Sequence, residues 1–302
     1  MSGTLQLETQ GVAQSMETYM DSSRQASNLA IVLVIALTAW ASAETKKEYR
    51  FNVGVKSTVS IINQYGAITV RPSTGNFVVV NATTYSDKVE VDQSQTGNRV
   101  DVQSHLLPGA TADNARVDYE VTVPADASVT LESITGPLHA EKLHGDVEAE
   151  GANATVEVRE ISNSHVHVKT MNGPITLTDI HDGHVEIDSV SGNVTLKSVT
   201  GPLVRVSSTS GRIVYDGDFG YAGEYRFNSH SGNIEATIPQ DASVDVKAQS
   251  VRGQVQDDVP LQPKSHTSFL IKQGSSFAGT INKAASSVWL RTFSGKIHLK
   301  KR

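Results

Sequence analysis

A glycine recurs every nine or ten residues through the middle of this 302-residue chain, and alternating apolar and polar residues follow each one. The series runs Gly136-Pro137-Leu138, Gly145-Asp146-Val147, Gly173-Pro174-Ile175, Gly183-His184-Val185, Gly192-Asn193-Val194, Gly201-Pro202-Leu203 and Gly211-Arg212-Ile213. Ala154-Thr155-Val156 and Ser164-His165-Val166 fill its two gaps. Every second start (136, 154, 173, 192, 211) defines a period of 18 or 19 residues. One short strand per half-period, repeated at that length, is the mark of a solenoid.

Inside each beat the apolar residues alternate, as in Val185-x-Ile187, Val194-x-Leu196 and Ile175-x-Leu177. Period-two alternation predicts one buried and one wet face. Two such strands per turn predict a flattened, right-handed, single-stranded β-helix that grows about 4.8 Å per coil. Corner glycines are expected to supply positive φ and to let coils approach closely. Pro137, Pro174 and Pro202 lack a donor and so belong at corners or strand starts. Aromatic residues are few (6%) while Val, Thr, Ser and Gly abound, which suits many short strands. The fold class is therefore all-β.

Three regions follow. Residues 1–43 form a leader, 44–128 a less regular N-terminal β region, and 129–302 the solenoid repeats. Pro124-Ala125-Asp126-Ala127 marks the second boundary. After Tyr215 the beat loosens over 216–224, a stretch with three glycines. Pro239-Gln240-Asp241-Ala242-Ser243-Val244 then echoes Pro124-Ala125-Asp126-Ala127-Ser128-Val129, which predicts a second unit from about residue 239.

The apolar run Leu29 to Trp40, followed by Ala41-Ser42-Ala43, has the form of a signal-peptide core and a small-x-small cleavage site. It is too short for a comfortable membrane span. A start at Met20 would leave a compact leader over 20–43, with 1–19 an artefact of the assigned start. An uncleaved anchor is the alternative. Cleavage after Ala43 removes Glu8, Glu17, Asp21 and Arg24, leaving 25 basic and 29 acidic residues, net −4. The chain has no cysteine, so neither disulfides nor a lipid-bearing thiol are available.

The phrases Val190-Ser191-Gly192-Asn193-Val194, His230-Ser231-Gly232-Asn233-Ile234 and Thr292-Phe293-Ser294-Gly295-Lys296-Ile297 resemble the repeats of the DUF4097-type family of bacterial adhesin domains. The P-x-D-A-S-V phrases are similar to that family's strand lead-ins. The resemblance covers the chain from about residue 50 to its end and implies a β-helical, extracytoplasmic protein. It brings no set of catalytic residues with it.

Stacking beats 18 or 19 residues apart places Asp146, His165 and His184 in one outward column, and Glu148, His167 and Glu186 in the next. Carboxylates and imidazoles on rungs about 4.8 Å apart are candidate ligands for Zn²⁺ or another divalent ion. The alternative is a solvated ladder of mutually offsetting charges. The remaining histidines (His105, His139, His144, His181, His230, His266, His298) are scattered and read as surface residues. Arg205 and Arg212 with Asp188 would imitate a polysaccharide lyase if they met in a groove, but isolated charges on a strand wall are more often solvated. Thr155, Thr176, Thr195, Ser207 and Ser208 read as outward hydroxyl ladders. Tyr215, Phe219, Tyr221, Tyr225 and Phe227 cluster in the irregular stretch and read as core over the solenoid's flank, or as a ligand patch where exposed.

These features point to an exported, cofactor-free, non-enzymatic adhesion or interaction module of the cell envelope, in the periplasm, on the surface or outside. Its expected partner is an envelope or surface protein or glycan. No basic stripe suggests nucleic acid, and no stable transmembrane span is expected once the leader is cleaved. The rivals are an envelope-stress sensor or scaffold that binds a peptide or protein, and a carbohydrate-active enzyme on a β-helical frame.

Overall fold

The computed structural model describes residues 44–263 and 276–302, and every regular element among them is a β-strand. The expected leader (1–43) and His266 lie outside the described residues. The first strands are β1 Thr45–Asn52, β2 Thr58–Tyr65, β3 Ile68–Ser73, β4 Phe77–Thr84, β5 Val89–Thr96, β6 Arg99–Leu106 and β7 Val117–Pro124. The regular series follows: β8 Ser128–Thr135, β9 Leu138–Glu141, β10 Val147–Gly151, β11 Val156–Ser162, β12 His165–Thr170, β13 Ile175–His181, β14 His184–Ser189, β15 Val194–Val199, β16 Leu203–Ser208, β17 Ile213–Asp216, β18 Glu224–Ser229 and β19 Ile234–Ile238. The chain ends with β20 Val244–Ser250, β21 Val255–Asp257, β22 Gln262–Pro263, β23 Ser276–Ile281, β24 Ser286–Thr292 and β25 Ile297–Lys301.

From β7 to β22 successive strands alternate between two sheets, which form the two walls of the solenoid. The first wall runs β1-β4-β7-β3-β9-β11-β13-β15-β17-β19-β25-β21, and the second β22-β23-β20-β24-β18-β16-β14-β12-β10-β8-β2-β6-β5. From β9 and β8 onward every pairing except those of β23 is parallel, with Val147 opposite Val166 and Ile175 opposite Val194, 19 residues apart in each case. The loosened stretch lengthens the step, since Ile213 pairs with Ile234. The N-terminal region is irregular because antiparallel pairs are woven in: β1 on β4, β4 on β7, and the β5–β6 hairpin. Even so, β2 and β3 lie parallel to β8 and β9 and continue the two walls.

The alternation sets the core. Val185, Ile187, Val194 and Leu196 are all fully or almost fully buried, and each such side chain contributes about 1.5–3 kcal/mol of apolar burial. Tyr215, Tyr225 and Phe227 are buried too. With Phe219 they form a ring cluster whose centroids lie 4.9–5.8 Å apart. The Tyr215 hydroxyl donates to the Val199 carbonyl at 2.7 Å, which satisfies its one polar atom in the core. Tyr221, at 92% exposure, is the member of the cluster that faces solvent.

The corner glycines do one of the two things expected of them. Apart from Gly136, those of the parallel coils do not take positive φ; that conformation falls instead on Glu160, Asp179 and Ser198 near the ends of β11, β13 and β15, and on Lys142, Asn163 and Asp182 just after β9, β11 and β13. What the glycines provide is contact between backbones. A Cβ on Gly192, Gly211 or Gly232 would lie 1.9–2.0 Å from the carbonyl oxygen of the glycine one coil before it. A buried hydroxyl three residues upstream fastens each corner. Ser189 donates to the Gly192 carbonyl at 3.0 Å, and Ser208 and Ser229 accept from the amides of Gly211 and Gly232 at 2.9 and 2.8 Å. Ser208 was expected to face outward; it is buried because this corner needs its hydroxyl. Pro137, Pro174 and Pro202 each directly precede a strand, where their carbonyls accept ladder bonds at 2.9 Å and no donor is missed.

The order of the last coils departs from chain order. β24 pairs with both β18 and β20, and β25 with both β19 and β21, so the C-terminal pair of strands lies between two coils that precede it in sequence. The antiparallel β22 and β23 then cover the free edge of β20.

Candidate functional site

The second wall brings the sequence-predicted residues together as a register. Asp146, just before β10, stacks with His165 of β12 and His184 of β14 in one outward column, and Glu148, His167 and Glu186 stack in the next. The Asp146 carboxylate accepts the His165 backbone amide at 2.8 Å and lies 3.3 Å from its Nδ1. His165 Nε2 lies 3.0 Å from His184 Nδ1, with the two rings edge to face. One tautomer satisfies the whole column: each Nδ1 donates, first to Asp146 and then to the preceding imidazole. His167 stands 3.8 Å from Glu148 and 3.9 Å from Asp188. These contacts make a chain of pairs. Among the described residues, no three His, Asp or Glu side chains surround a point that a metal ion could occupy.

The same columns continue along the wall and change character. Over β8, β10, β12 and β14 the outward charges are Glu132, Asp146, Glu148, Glu150, Glu186 and Asp188 against Lys169. Over β16, β18, β24 and β20 they are Arg205, Arg226, Lys247 and Arg291 against Glu224 and Asp245. The wall is thus split into an acidic, imidazole-bearing half and a basic half, joined where Arg205 pairs with Glu186 at 3.3 Å. In the basic half Trp289 is 48% exposed, with Lys247 Nζ 4.6 Å and the Arg226 guanidinium 6.0 Å from its ring centroid.

An apolar border runs beside these columns. The residue after the corner position, a hydroxyl on every rung but that of Gly151, is Ile134, Ala152, Met171, Val190, Thr209, His230, Phe293 and Val251 on successive rungs. Backbone bonds such as Met171 N to Gly151 O and Val251 N to Thr292 O tie each to its neighbouring coil. The large exposed apolar side chains of the described residues are Val55, Ile134, Met171, Val190, Tyr221, Val251 and Trp289, and five of these lie on this wall or its border.

The other candidates fall elsewhere. Arg212 pairs with Glu235 at 2.6 Å on the first wall, away from Arg205 and Asp188, so the lyase-like trio is not assembled. Thr176 and Thr195 do stack outward on the first wall, while Ser207 faces outward on the second, opposite Asp188. A cleft of about 600 Å³ lies between Asp218–Tyr221 and Pro239–Ser243, with Arg302 in its lining held by Asp216 and Asp218 at 2.9 and 2.6 Å. On the first wall, Glu141 receives Arg71 at 3.0 Å and Arg159 at 2.7 Å. Burial pushes the Glu141 carboxyl up, but hydrogen bonds from Arg159, Arg71 and His139 outweigh it and hold the group below its ordinary range. Glu235 is lowered chiefly by Lys300, with Arg212 adding to the effect against a smaller cost of burial. Sequence reasoning missed these two networks and the apolar border; the 19-residue register applied to every column would have found the border.

The frame described here has relatives. The family model "Toastrack DUF4097" matches residues 57–300. Among solved structures, the chain is similar to a "putative cell adhesion protein" from Clostridium sporogenes, at 12% identity and a TM-score of 0.30, over 86% of this chain and 100% of that one. It is also similar to a "putative adhesin" from Bacteroides fragilis, at 12% identity and a TM-score of 0.49, over 85% of this chain and 98% of that one. No curated protein matches the chain. With its two walls of parallel rungs lying within the matched stretch, the chain belongs to the Toastrack DUF4097 family.

Proposed function

We propose that the protein is a non-catalytic adhesion or interaction module that is exported to the cell envelope, and that the outer face of its second wall is the binding surface. The observation that carries this reading is the concentration on one flat face of two opposed charge blocks, an exposed tryptophan and an apolar border. An exposed apolar patch rimmed by charge is the physical form of an interaction surface. Export is supported by the leader-like run Leu29 to Trp40 with Ala41-Ser42-Ala43. The two adhesin descriptions belong to those proteins and suggest the same setting for this one.

The test is to express the full chain in a bacterial host, sequence its mature N-terminus and measure its binding to envelope fractions. A mature chain beginning at Glu44 and saturable binding that falls at least about tenfold, or 1.4 kcal/mol, in Arg226→Glu/Lys247→Glu are expected. An intact leader, or binding indifferent to the wall, overturns the reading. Incubation with uronate polymers separates the enzyme alternative: saturable release of unsaturated products would replace a binding module with a lyase.

A further inference from the structure

We infer that the polarised wall is self-complementary and that two copies of this chain dock through it face to face, with their solenoid axes antiparallel. The inference deepens the reading of this wall as a binding face by naming its occupant.

The register makes the match explicit. A two-fold axis lying along the strands, between β14 and β16, puts β14 over β16 of the second copy, β12 over β18, β10 over β24 and β8 over β20. The side-chain columns keep their identity under that rotation. Glu186 then faces Arg205 of the second copy and Glu150 faces Arg291, while the imidazoles of His165 and His167 face Glu224 and Arg226. Near the axis the Glu186–Arg205 pair meets its own inverted copy, giving a ring of four alternating charges. Glu148 lies over the exposed Trp289, between its flanking cations Arg226 and Lys247. Nowhere in the three outward columns do like formal charges stand opposite each other.

The apolar border follows the same symmetry at its ends: Ile134 meets Val251 of the second copy and Ala152 meets Phe293, while nearer the axis the exposed Met171 and Val190 meet His230 and Thr209. The alternative two-fold axis, along the solenoid, would lay each rung on its own copy and set Glu148 on Glu148 and Arg226 on Arg226. Like charges in register oppose that packing, so the charge split selects the antiparallel one. Eight rungs about 4.8 Å apart and strands of about six residues present on the order of 700 Å² per copy, close to the roughly 800 Å² per partner of a standard interface. Closed two-fold pairing of one patch with itself is also the commonest form of homo-oligomer.

Sedimentation of the purified exported chain tests this. A dimer is expected at low salt, dissociating as ionic strength rises from about 0.01 M to about 1 M, over which the screening length falls from about 30 Å to about 3 Å. Glu148→Lys/Glu150→Lys/Glu186→Lys and Arg205→Glu/Arg226→Glu/Arg291→Glu are each expected to be monomeric, with thermal melts confirming that both fold. Mixing the two restores a dimer, because each reversed block then meets the other. Trp289→Ala, which changes no charge, is expected to weaken the dimer at least fivefold with the fold intact. A wild-type chain that stays monomeric at low salt, or a mixture that fails to pair, overturns the inference. If such a monomer still loses envelope binding on wall reversal, the wall remains a binding face and only the second copy is wrong; if neither association nor binding changes, both readings fall.

Discussion

Gly295 lies directly over Gly232, although 63 positions separate them in sequence: a Cβ on Gly295 would come within 2.1 Å of the Gly232 carbonyl oxygen. The pair belongs to a column of corner residues, Ala154, Gly173, Gly192, Gly211, Gly232, Gly295 and Gly253, in which each backbone rests on the one before. The obstructing atoms are backbone, so no rotamer can relieve a larger residue.

Alanine at these corners should therefore be severe. Gly211→Ala and Gly232→Ala are expected to destabilise the chain by at least about 3 kcal/mol, in the range reserved for overpacking and backbone conflict. Urea unfolding measures it. A loss under about 1 kcal/mol would mean that the coils can separate locally, against the packing of the column.

Where the sequence places a side chain in the left-handed region, the opposite change should help. Glu160 is exposed, has φ 53°, and its ion pair with Lys142 is long at 3.9 Å. The conformation costs a non-glycine residue roughly 1–2 kcal/mol, and glycine's greater freedom in the unfolded chain offsets part of that relief. Glu160→Gly is expected to raise stability by about 0.5–1 kcal/mol in the same assay. A measurable loss would show that the surrounding ladder is not straining this residue.

Two adjacent serines should behave differently from one another. Ser208 is buried and accepts the Gly211 amide, so Ser208→Ala leaves that buried donor unpaired at a cost of about 1–3 kcal/mol. Ser207 faces outward on the same strand, and Ser207→Ala should fall within about 0.5 kcal/mol of wild type. Equal effects in chemical denaturation would refute the inward role of Ser208.

Acid should weaken the first wall. Glu141 and Glu235 are both held below the ordinary glutamate value by their cationic partners. A depressed folded-state pKa contributes stability that is fully present above the unfolded value, about 4.3, and lost as pH falls through the lower folded value. Melting temperature should therefore drop below about pH 5. Glu235→Gln should melt lower at pH 7 and show a shallower acid slope, while an unchanged slope would remove the linkage.

Zinc separates the pairwise grid from a metal centre. With Asp146, His165 and His184 joined in a chain of pairs, calorimetric titration with Zn²⁺ should give the same trace for wild type and His165→Ala. A 1:1 isotherm present in wild type and lost in the variant would place a metal there after all.

Much of the site was legible because a solenoid turns sequence spacing into spatial neighbourhood. The 19-residue step put His165 beside His184 and Glu148 beside His167, and the ladder bears out both placements. Corner chemistry was harder to read. Ser207 and Ser208 look alike in sequence, and only the turn decides which hydroxyl points at the Gly211 amide. The expected positive φ at corner glycines failed for a similar reason: the absence of a Cβ serves conformation and close approach equally well, and the sequence does not distinguish them.

By itself the sequence determined the period, the strand faces, the buried apolar columns and the outward stacking of charges, because period-two alternation and a constant repeat are local properties. Only the tertiary structure decided the order of the last coils and what that order creates. Inserting β24 between β18 and β20 sets Trp289 between Arg226 and Lys247, and completes the basic half of the wall. Parallel rungs carry equivalent hydrogen bonds in either order, so backbone pairing leaves the sequence of coils open. The contacts that choose it, Gly295 on Gly232 and Gly253 on Gly295, lie between residues far apart along the chain.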